Sequence, residues 1–237
     1  MEDKKIYVCI PTYNEKGNIE KLVKSIFDLG IKGLTVLIVD DSSPDGTGEI
    51  ADELAEKYPV KVIHREIKNG LGGAYISAFK SALQDGADFL FGMDADLSHD
   101  PKDIPRFLKE INNGYDIIVG SRKIEGGEIK NWSAWRYFCS NGATWFARTL
   151  LGIKTNDITN SFRCYRADVL KDLDLDKIES NGYAFFEETI YLCEKKGFKI
   201  KEVPIVFVDR EEGQSKLSYK DIIEFFVKII KLRFRKI

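Results

Sequence analysis

The sequence predicts an α/β fold with a mostly parallel central sheet flanked by helices, followed by an amphipathic C-terminal helix. Two observations predict it. Short apolar runs of strand length alternate with segments whose apolar residues recur at helical spacing, up to about residue 122. The chemistry-bearing residues of 11–15, with Asp40, Asp41, Asp94, Asp96 and Arg122, all fall just past strand ends. Open α/β sheets bind ligands there, beyond the carboxyl ends of their strands.

The elements follow in order. Residues 6–10 read as a short strand broken by Pro11, and after a loop Ile19, Leu22, Val23, Ile26 and Phe27 fall on one helical face. Residues 35–39 form a second buried strand, and Ile50, Ala51, Leu54 and Ala55 mark the next helix. A third strand at 60–64 precedes Asn69-Gly-Leu-Gly-Gly73, which opens a helix through Ala78, Phe79, Ala82 and Leu83. The apolar run 89–93 is a buried strand; a helix carrying Ile104, Phe107, Leu108 and Ile111 follows, then a fifth strand at 116–120. Beyond Arg122 the pattern changes to a Gly- and charge-rich loop, 123–130, and an aromatic segment, 132–151, that holds all 3 tryptophans. That segment reads either as core or as a helix lying in a membrane interface, where Trp and Tyr sit beside cationic residues. Residues 161–165 are strand-like, Gly182 to Glu188 opens a helix, and 199–208 alternates as a strand with Pro204 marking an edge or bulge. Residues 219–237 are apolar over much of a helical circumference and end in basic residues, which suits either packing or anionic headgroups.

The 237 residues carry 43% apolar and 31% charged side chains, the balance of a globular protein with a substantial core. A net charge of −2 gives no electrostatic reason to expect nucleic acid. Cys9, Cys139, Cys164 and Cys193 lack metal-like spacing and read as free thiols of a reducing compartment. No signal peptide opens the chain and no apolar run is long enough to span a bilayer, so the expected location is cytoplasmic unless something carries the chain to a membrane.

The chemistry centres on Phe91-Gly-Met-Asp94-Ala-Asp96-Leu-Ser98. In a regular strand, side chains two apart point the same way, so Asp94 and Asp96 converge at the strand end. Two crowded carboxylates suit Mg²⁺ or Mn²⁺, hard ions that keep coordination positions open for substrate phosphates. The competing reading is an acidic turn before the helix that begins near Pro101. Asp40 and Asp41 carry a similar alternative, one of them capping the following helix.

At Pro11-Thr-Tyr-Asn-Glu15, Val39-Asp-Asp-Ser-Ser-Pro-Asp-Gly-Thr47, Met93-Asp-Ala-Asp-Leu-Ser98 and Gly120-Ser-Arg122 the chain resembles the dolichyl-phosphate mannose synthase family of inverting GT-A glycosyltransferases. The likeness continues through Asp157-Ile-Thr-Asn-Ser-Phe-Arg163-Cys-Tyr165, Gly182-Tyr183, Glu202-Val-Pro204, Asp209-Arg210 and Gly213-Gln-Ser-Lys216. It implies a GT-A fold over residues 1–218, with a donor-binding half to about 122, an acceptor- and membrane-facing half over about 123–218, and a C-terminal helix at 219–237. It also implies transfer of mannose from GDP-mannose to dolichyl or another polyprenyl phosphate, with a divalent cation. By this resemblance Pro11, Tyr13, Glu15, Val39 and Asp41 surround the nucleoside. Asp94 and Asp96 hold the metal with Ala95 between them, and Ser98 occupies the third metal contact. Arg122, Arg136, Arg210 and Lys216 handle phosphates; Asp94, Asp96, Arg122 and Arg136 carry catalysis. His99 matches no role in the pattern and reads as structural.

Inversion implies one in-line displacement at the anomeric carbon. A phosphate monoester acceptor is already anionic near neutral pH, so no general base is required and positioning and charge management remain. The resemblance is to the short form without transmembrane helices, peripheral on the cytoplasmic face of a membrane, in some organisms beside small membrane-spanning subunits. The rival readings are a polyprenyl-phosphate glucosyltransferase using UDP-glucose, a transferase acting on a soluble glycan or protein, and a non-catalytic membrane-associated scaffold.

Overall fold

The computed structural model describes residues 4–66, 70–180, 182, 184–209 and 219–235. Seven strands form one sheet in the order β3-β2-β1-β4-β7-β5-β8. They are β1 (Ile6–Thr12), β2 (Leu34–Asp40), β3 (Val60–His64), β4 (Phe89–Gly92), β5 (Ile117–Ser121), β7 (Arg163–Arg166) and β8 (Ile200–Pro204). The short strands β6 (Glu128–Lys130) and β9 (Val206–Val208) pair separately, in parallel. All pairs of the large sheet are parallel except those made by β7, which enters antiparallel between β4 and β5.

The helices are α1 (Ile19–Phe27), α2 (Thr47–Ala55), α3 (Gly70–Gln84), α4 (Ile104–Asn112), α5 (Ala134–Leu151), α6 (Ala167–Asp172), α7 (Phe185–Lys195) and α8 (Tyr219–Phe234). Strand alternation divides them between two faces. Ile6, Val8, Ile10, Val36, Ile38, Phe89 and Phe91 point to a core closed by α1, α2 and α4. Tyr7, Cys9, Leu37, Val39 and Leu90 point to the opposite core, closed by α3, α6 and α7 with Ile229 and Leu232 of α8. Both faces of β1, β2, β4 and β5 are therefore buried, which is why these strands read as continuous apolar runs. All four cysteines are unpaired, and Cys9, Cys164 and Cys193 are buried.

Most strand ends shift by one or two residues from the sequence reading, and four differences have a physical reason. Strand β1 continues through Pro11, because the Cys9 carbonyl accepts from Met93 N–H and odd residues of β1 therefore face β4. The missing N–H of Pro11 points past the last β1–β4 pair, Cys9 with Gly92, so no ladder bond is lost. Strand β4 stops at Gly92, one residue earlier than expected. A β-carbon there would lie 2.9 Å from the Ser161 carbonyl oxygen and 3.0 Å from the Tyr75 ring, so only glycine allows β7 and α3 to close on β4. The 123–130 loop contains β6, and the 199–208 strand divides after Pro204: Ile205 N–H still bonds the Ser121 carbonyl, after which the chain crosses to β6.

The aromatic segment forms α5. Ser133 Oγ accepts from Arg136 N–H at its start, and Gly152 (φ 72°) ends it in the left-handed conformation. Trp135, Phe138 and Trp145 are 72%, 69% and 68% exposed, whereas Ala147 and Leu151 are buried and Phe146 and Leu150 pack against the core, so α5 has one core face and one exposed aromatic face. Helix α8 packs beside α5 through Phe226 against Phe146, at 4.9 Å between ring centroids, and leaves Val227, Ile230 and Phe234 exposed. Among the described residues no helix is long and apolar enough to cross a membrane.

Candidate active site

The chain runs β1, β2, β3 in one direction across the sheet, and β4 then lies on the other side of β1. The crevice at such a reversal is where open α/β sheets take ligands. On one side of it the loop after β1 is tied to the loop after β2. Asn14 N–H donates to Ser43 Oγ (3.0 Å), Glu15 N–H to Thr47 Oγ1 (2.9 Å) and Lys16 N–H to Asp45 Oδ2 (3.2 Å). Asp45 Oδ1 in turn accepts from Thr47 N–H and Oγ1, so it tethers the start of α2.

Asp40 is the structural carboxylate of the β2 loop. It accepts from Thr12 Oγ1, Ser43 Oγ and Ser43 N–H, and neither aspartate after β2 supplies the contacts made by Asp45 at α2. Asp41 is also buried, with Oδ1 3.0 Å from Arg65 Nη1. Pro11, Tyr13 and Glu15 are partly exposed along this rim, whereas Val39 is fully buried with its side chain in the core. Val39 is corrected accordingly: its side chain supports the rim from beneath and has no surface to offer a nucleoside.

Asp94 and Asp96 lie past the end of β4 in a turn rather than in extended strand, with Leu97 at φ 62°. Their positions are fixed individually. Asp94 Oδ1 accepts from the Tyr75 hydroxyl at 3.3 Å, and Asp96 Oδ1 accepts from both the N–H and the hydroxyl of Ser98. Ser98, expected as a third metal contact, is thus buried and directed at Asp96, which its hydroxyl orients. Ala95 is buried between the carboxylates. Burial raises the Asp94 carboxyl above its ordinary value and the neighbouring Asp96 adds to the rise. A cation against both groups would reverse that shift, and two carboxylate oxygens suit Mg²⁺ or Mn²⁺. Among the described residues no third His, Cys, Asp or Glu joins them, so remaining coordination positions would fall to substrate, water or hydroxyl oxygens.

His99 is fully occupied. Its Nδ1 accepts from Asp94 N–H (3.2 Å), which leaves Nε2 carrying the proton donated to Asn160 Oδ1 (2.9 Å), while Asn160 Nδ2 donates to the Gly120 carbonyl. The ring is buried and stacked on Phe162. It fixes the Asp94 backbone and has no free nitrogen for acid–base work.

The cations behave differently from the expectation. Arg122 Nε and Nη2 grip Asp157 at 2.7 and 2.8 Å, Nη2 also donates to Thr159 Oγ1, and Arg122 N–H donates to the same carboxylate. Both side chains are buried, and the Arg122 guanidinium lies over Trp132 and Phe207. Burial alone would raise the Asp157 carboxyl; the charge and hydrogen bonds of Arg122 outweigh it and hold Asp157 below its ordinary value. Arg122 is therefore a buried, bidentate partner with at most Nη1 directed elsewhere, rather than a free phosphate clamp. Arg136 Nη1 is held by both oxygens of Asp209 and stacks on Trp132 at 4.3 Å. Arg210 and Lys216 lie outside the described residues.

The sequence matches the model of glycosyl transferase family 2 over residues 7–174. The chain belongs to glycosyl transferase family 2. Within that family it falls among the polyprenyl-phosphate mannosyltransferases, as expected from its motifs. It is 44% identical to the undecaprenyl-phosphate mannosyltransferase of Micrococcus luteus over 90% of this chain and 88% of that one. It is 42% identical to the polyprenol monophosphomannose synthase of Mycolicibacterium smegmatis, over 94% and 84%. It is 41% identical to the dolichol-phosphate mannosyltransferase of Pyrococcus furiosus, over 96% of this chain and 63% of that longer one. Among solved structures, glucosyl-3-phosphoglycerate synthase of Mycobacterium tuberculosis with Mn²⁺, UDP-glucose and phosphoglyceric acid superposes with a TM-score of 0.73 over 99% of this chain and 81% of that one, at 16% identity. The GT-A architecture expected from the motifs is therefore the fold observed.

Several residues that build this family 2 site escaped sequence reasoning. Tyr75 lies on α3, 19 positions before Asp94, and reads as one more core aromatic. Asp157 sits 35 positions from Arg122 and meets it only because the chain returns through β7 beside β5. Glu187 of α7 also went unread, though no contact among the described residues places it in the site; it is buried with Oε2 unpartnered and is pushed up to about 8 by desolvation. The acidic pair Glu187-Glu188 in an otherwise apolar turn was the one signal available for it.

Proposed function

We propose that this polyprenyl-phosphate mannosyltransferase takes mannose from GDP-mannose and passes it, with inversion, to a dolichol-type polyprenyl phosphate. The observation that carries the reading is the Asp94/Asp96 pair at the β1/β4 crevice of a chain whose relatives are named for that acceptor class. Residues 1–122 hold the donor in this reading. Tyr13, Glu15 and Asp41 edge the nucleoside crevice, where carboxylates accept hydrogen bonds from ribose hydroxyls or a base edge. Asp94 and Asp96 would hold Mg²⁺ or Mn²⁺, which supplies positive charge to the diphosphate leaving group when bound.

The chain's own groups orient and neutralise. Tyr75 and Ser98 fix the two carboxylates, and His99 fixes the backbone that carries Asp94. The Arg122–Asp157 pair anchors the wall after β5, and Arg136 stands at the start of α5 on the acceptor side, with Arg210 and Lys216 as further cations toward phosphate. An anionic acceptor oxygen attacks without losing a proton, so no base is assigned.

The acceptor reaches the site from a membrane surface against which α5 and α8 lie. Trp135, Phe138 and Trp145, with Val227, Ile230 and Phe234, form the apolar contact, and Lys231 and Arg233 meet anionic headgroups. The test is transfer of labelled mannose from GDP-mannose to polyprenyl phosphate in vesicles, with and without Mn²⁺. A metal-dependent β-linked mannosyl lipid is expected. Transfer from UDP-glucose instead, or metal-independent transfer, would overturn the donor or the cation assignment respectively.

A further inference from the structure

A cleft of about 410 Å³ opens along α5, lined by Lys123, Asn141, Thr144, Trp145, Arg148 and Asn156 among others. Positions 141, 144, 145 and 148 recur at helical spacing, so one face of α5 supplies most of its wall. Lys123, the residue after Arg122, closes the other side.

Its charges are unbalanced in a way that those of the neighbouring arginines are not. Arg122 and Arg136 each have a carboxylate partner, Asp157 and Asp209. Lys123 Nζ donates to the neutral hydroxyl of Thr144, and Arg148 donates only to the carbonyls of Ile153 and Lys154. Among the described residues neither cation forms an ion pair. Thr144 is buried, and Asn156, whose N–H and Nδ2 are held by Glu202, keeps its side-chain oxygen for a hydroxyl or water. Two cations without counterions in one recess, beside amide and hydroxyl groups, are a recognition surface for an oxyanion that accepts from several donors at once.

We propose that this cleft is a second anion site, separate from the donor crevice, that binds a phosphate group through Lys123 and Arg148. Trp145 is 68% exposed beside it, which places its mouth on the aromatic side of α5. Burial supports the assignment. It lowers the Lys123 amine to about 8, with Arg122 and Arg148 pulling the same way and Asp157 and Glu187 opposing them. A bound phosphate would restore the ordinary range. The inference concerns groups that the donor reading leaves unused and does not rest on it.

The test is the titration midpoint of Lys123, followed by NMR of its side chain in the full-length protein, without and with inorganic phosphate. The assignment of the resonance comes from Lys123→Arg. Phosphate is expected to raise the midpoint by about one pH unit. Lys123→Gln and Arg148→Gln are each expected to weaken phosphate binding by calorimetry about tenfold or more. An unmoved Lys123 midpoint overturns the site even if both variants misfold, and folded variants that bind phosphate like wild type overturn it too. Phosphatidylcholine vesicles with and without phosphatidic acid identify the source. A midpoint raised by phosphatidic acid assigns the cleft to a lipid headgroup; one raised by free phosphate alone assigns it to a soluble phosphate ester. Neither readout uses nucleotide or metal, so failure of mannosyl transfer and failure of this site are separate results.

Discussion

Along the rim formed by β1, β2 and β4, polar loop is tied to polar loop: Asn14 to Ser43, Glu15 to Thr47, Ser98 to Asp96, His99 to Asp94 and Asn160. The outer side of α5 is built the opposite way, with Trp135, Phe138 and Trp145 left largely exposed. A crevice for a polar ligand must hold its own groups still before the ligand arrives, because reorganisation at the moment of reaction would add to the barrier. An apolar face needs no such internal order, since its energy comes from area removed from water once a surface meets it. The first region is specified by hydrogen bonds and the second by what the protein fails to cover.

The comparison breaks first at the carboxylates. Asp94→Ala or Asp96→Ala is expected to lower kcat for mannosyl transfer about 10³-fold or more, since the leaving diphosphate loses its charge partner. His99→Ala, one contact away, should instead lower stability by about 2–4 kcal/mol by emptying a buried site and stranding Asp94 N–H and Asn160. Its activity per folded molecule should stay far above that of Asp94→Ala. Chemical denaturation beside initial rates separates the two; equal losses of rate would return His99 to the chemistry.

Asp157→Asn sharpens the contrast between paired and unpaired cations. It leaves Arg122 buried beside an uncharged amide, which should reduce stability by about 3 kcal/mol or more. The Asp157 carboxyl lies below its ordinary value of 3.8, so its contribution is fully present above that value and is lost as pH falls through the folded one. Wild type should therefore lose stability below about pH 4 more steeply than Asp157→Asn, measured by urea melts across pH. Parallel slopes would contradict the pairing.

Smaller effects probe each region singly. Tyr75→Phe removes one hydrogen bond to Asp94 and should weaken Mn²⁺ affinity about tenfold with an unchanged melting temperature. Trp135→Ser and Trp145→Ser should each reduce partition onto anionic vesicles about fivefold, again with unchanged stability, because the side chains are already exposed. A drop in melting temperature would mean that these aromatics pack in the fold after all.

What the sequence disclosed follows the same division. The Asp94–Ser98 cluster was legible because residues within five positions stay together in any fold, although Ser98, read as a metal contact, is directed at Asp96. The inner strand runs were legible because both faces of β1, β2, β4 and β5 are buried. The contact of Arg122 with Asp157 was not, since it depends on β7 returning antiparallel between β4 and β5. The motif placed Val39 at the nucleoside, but strand alternation turns its side chain into the core. The aromatic stripe of α5 read equally as core or interface, because periodicity states which residues share a face and not whether another element covers it.

The most direct test is calorimetric titration of GDP, GDP-mannose, UDP and UDP-glucose into wild type and Asp94→Ala, with and without Mn²⁺. Mn²⁺-dependent binding of the two guanine ligands to wild type, and its loss in Asp94→Ala, are expected. Metal-independent binding, binding of the uracil pair, or full binding by Asp94→Ala would contradict the donor or cation assignment.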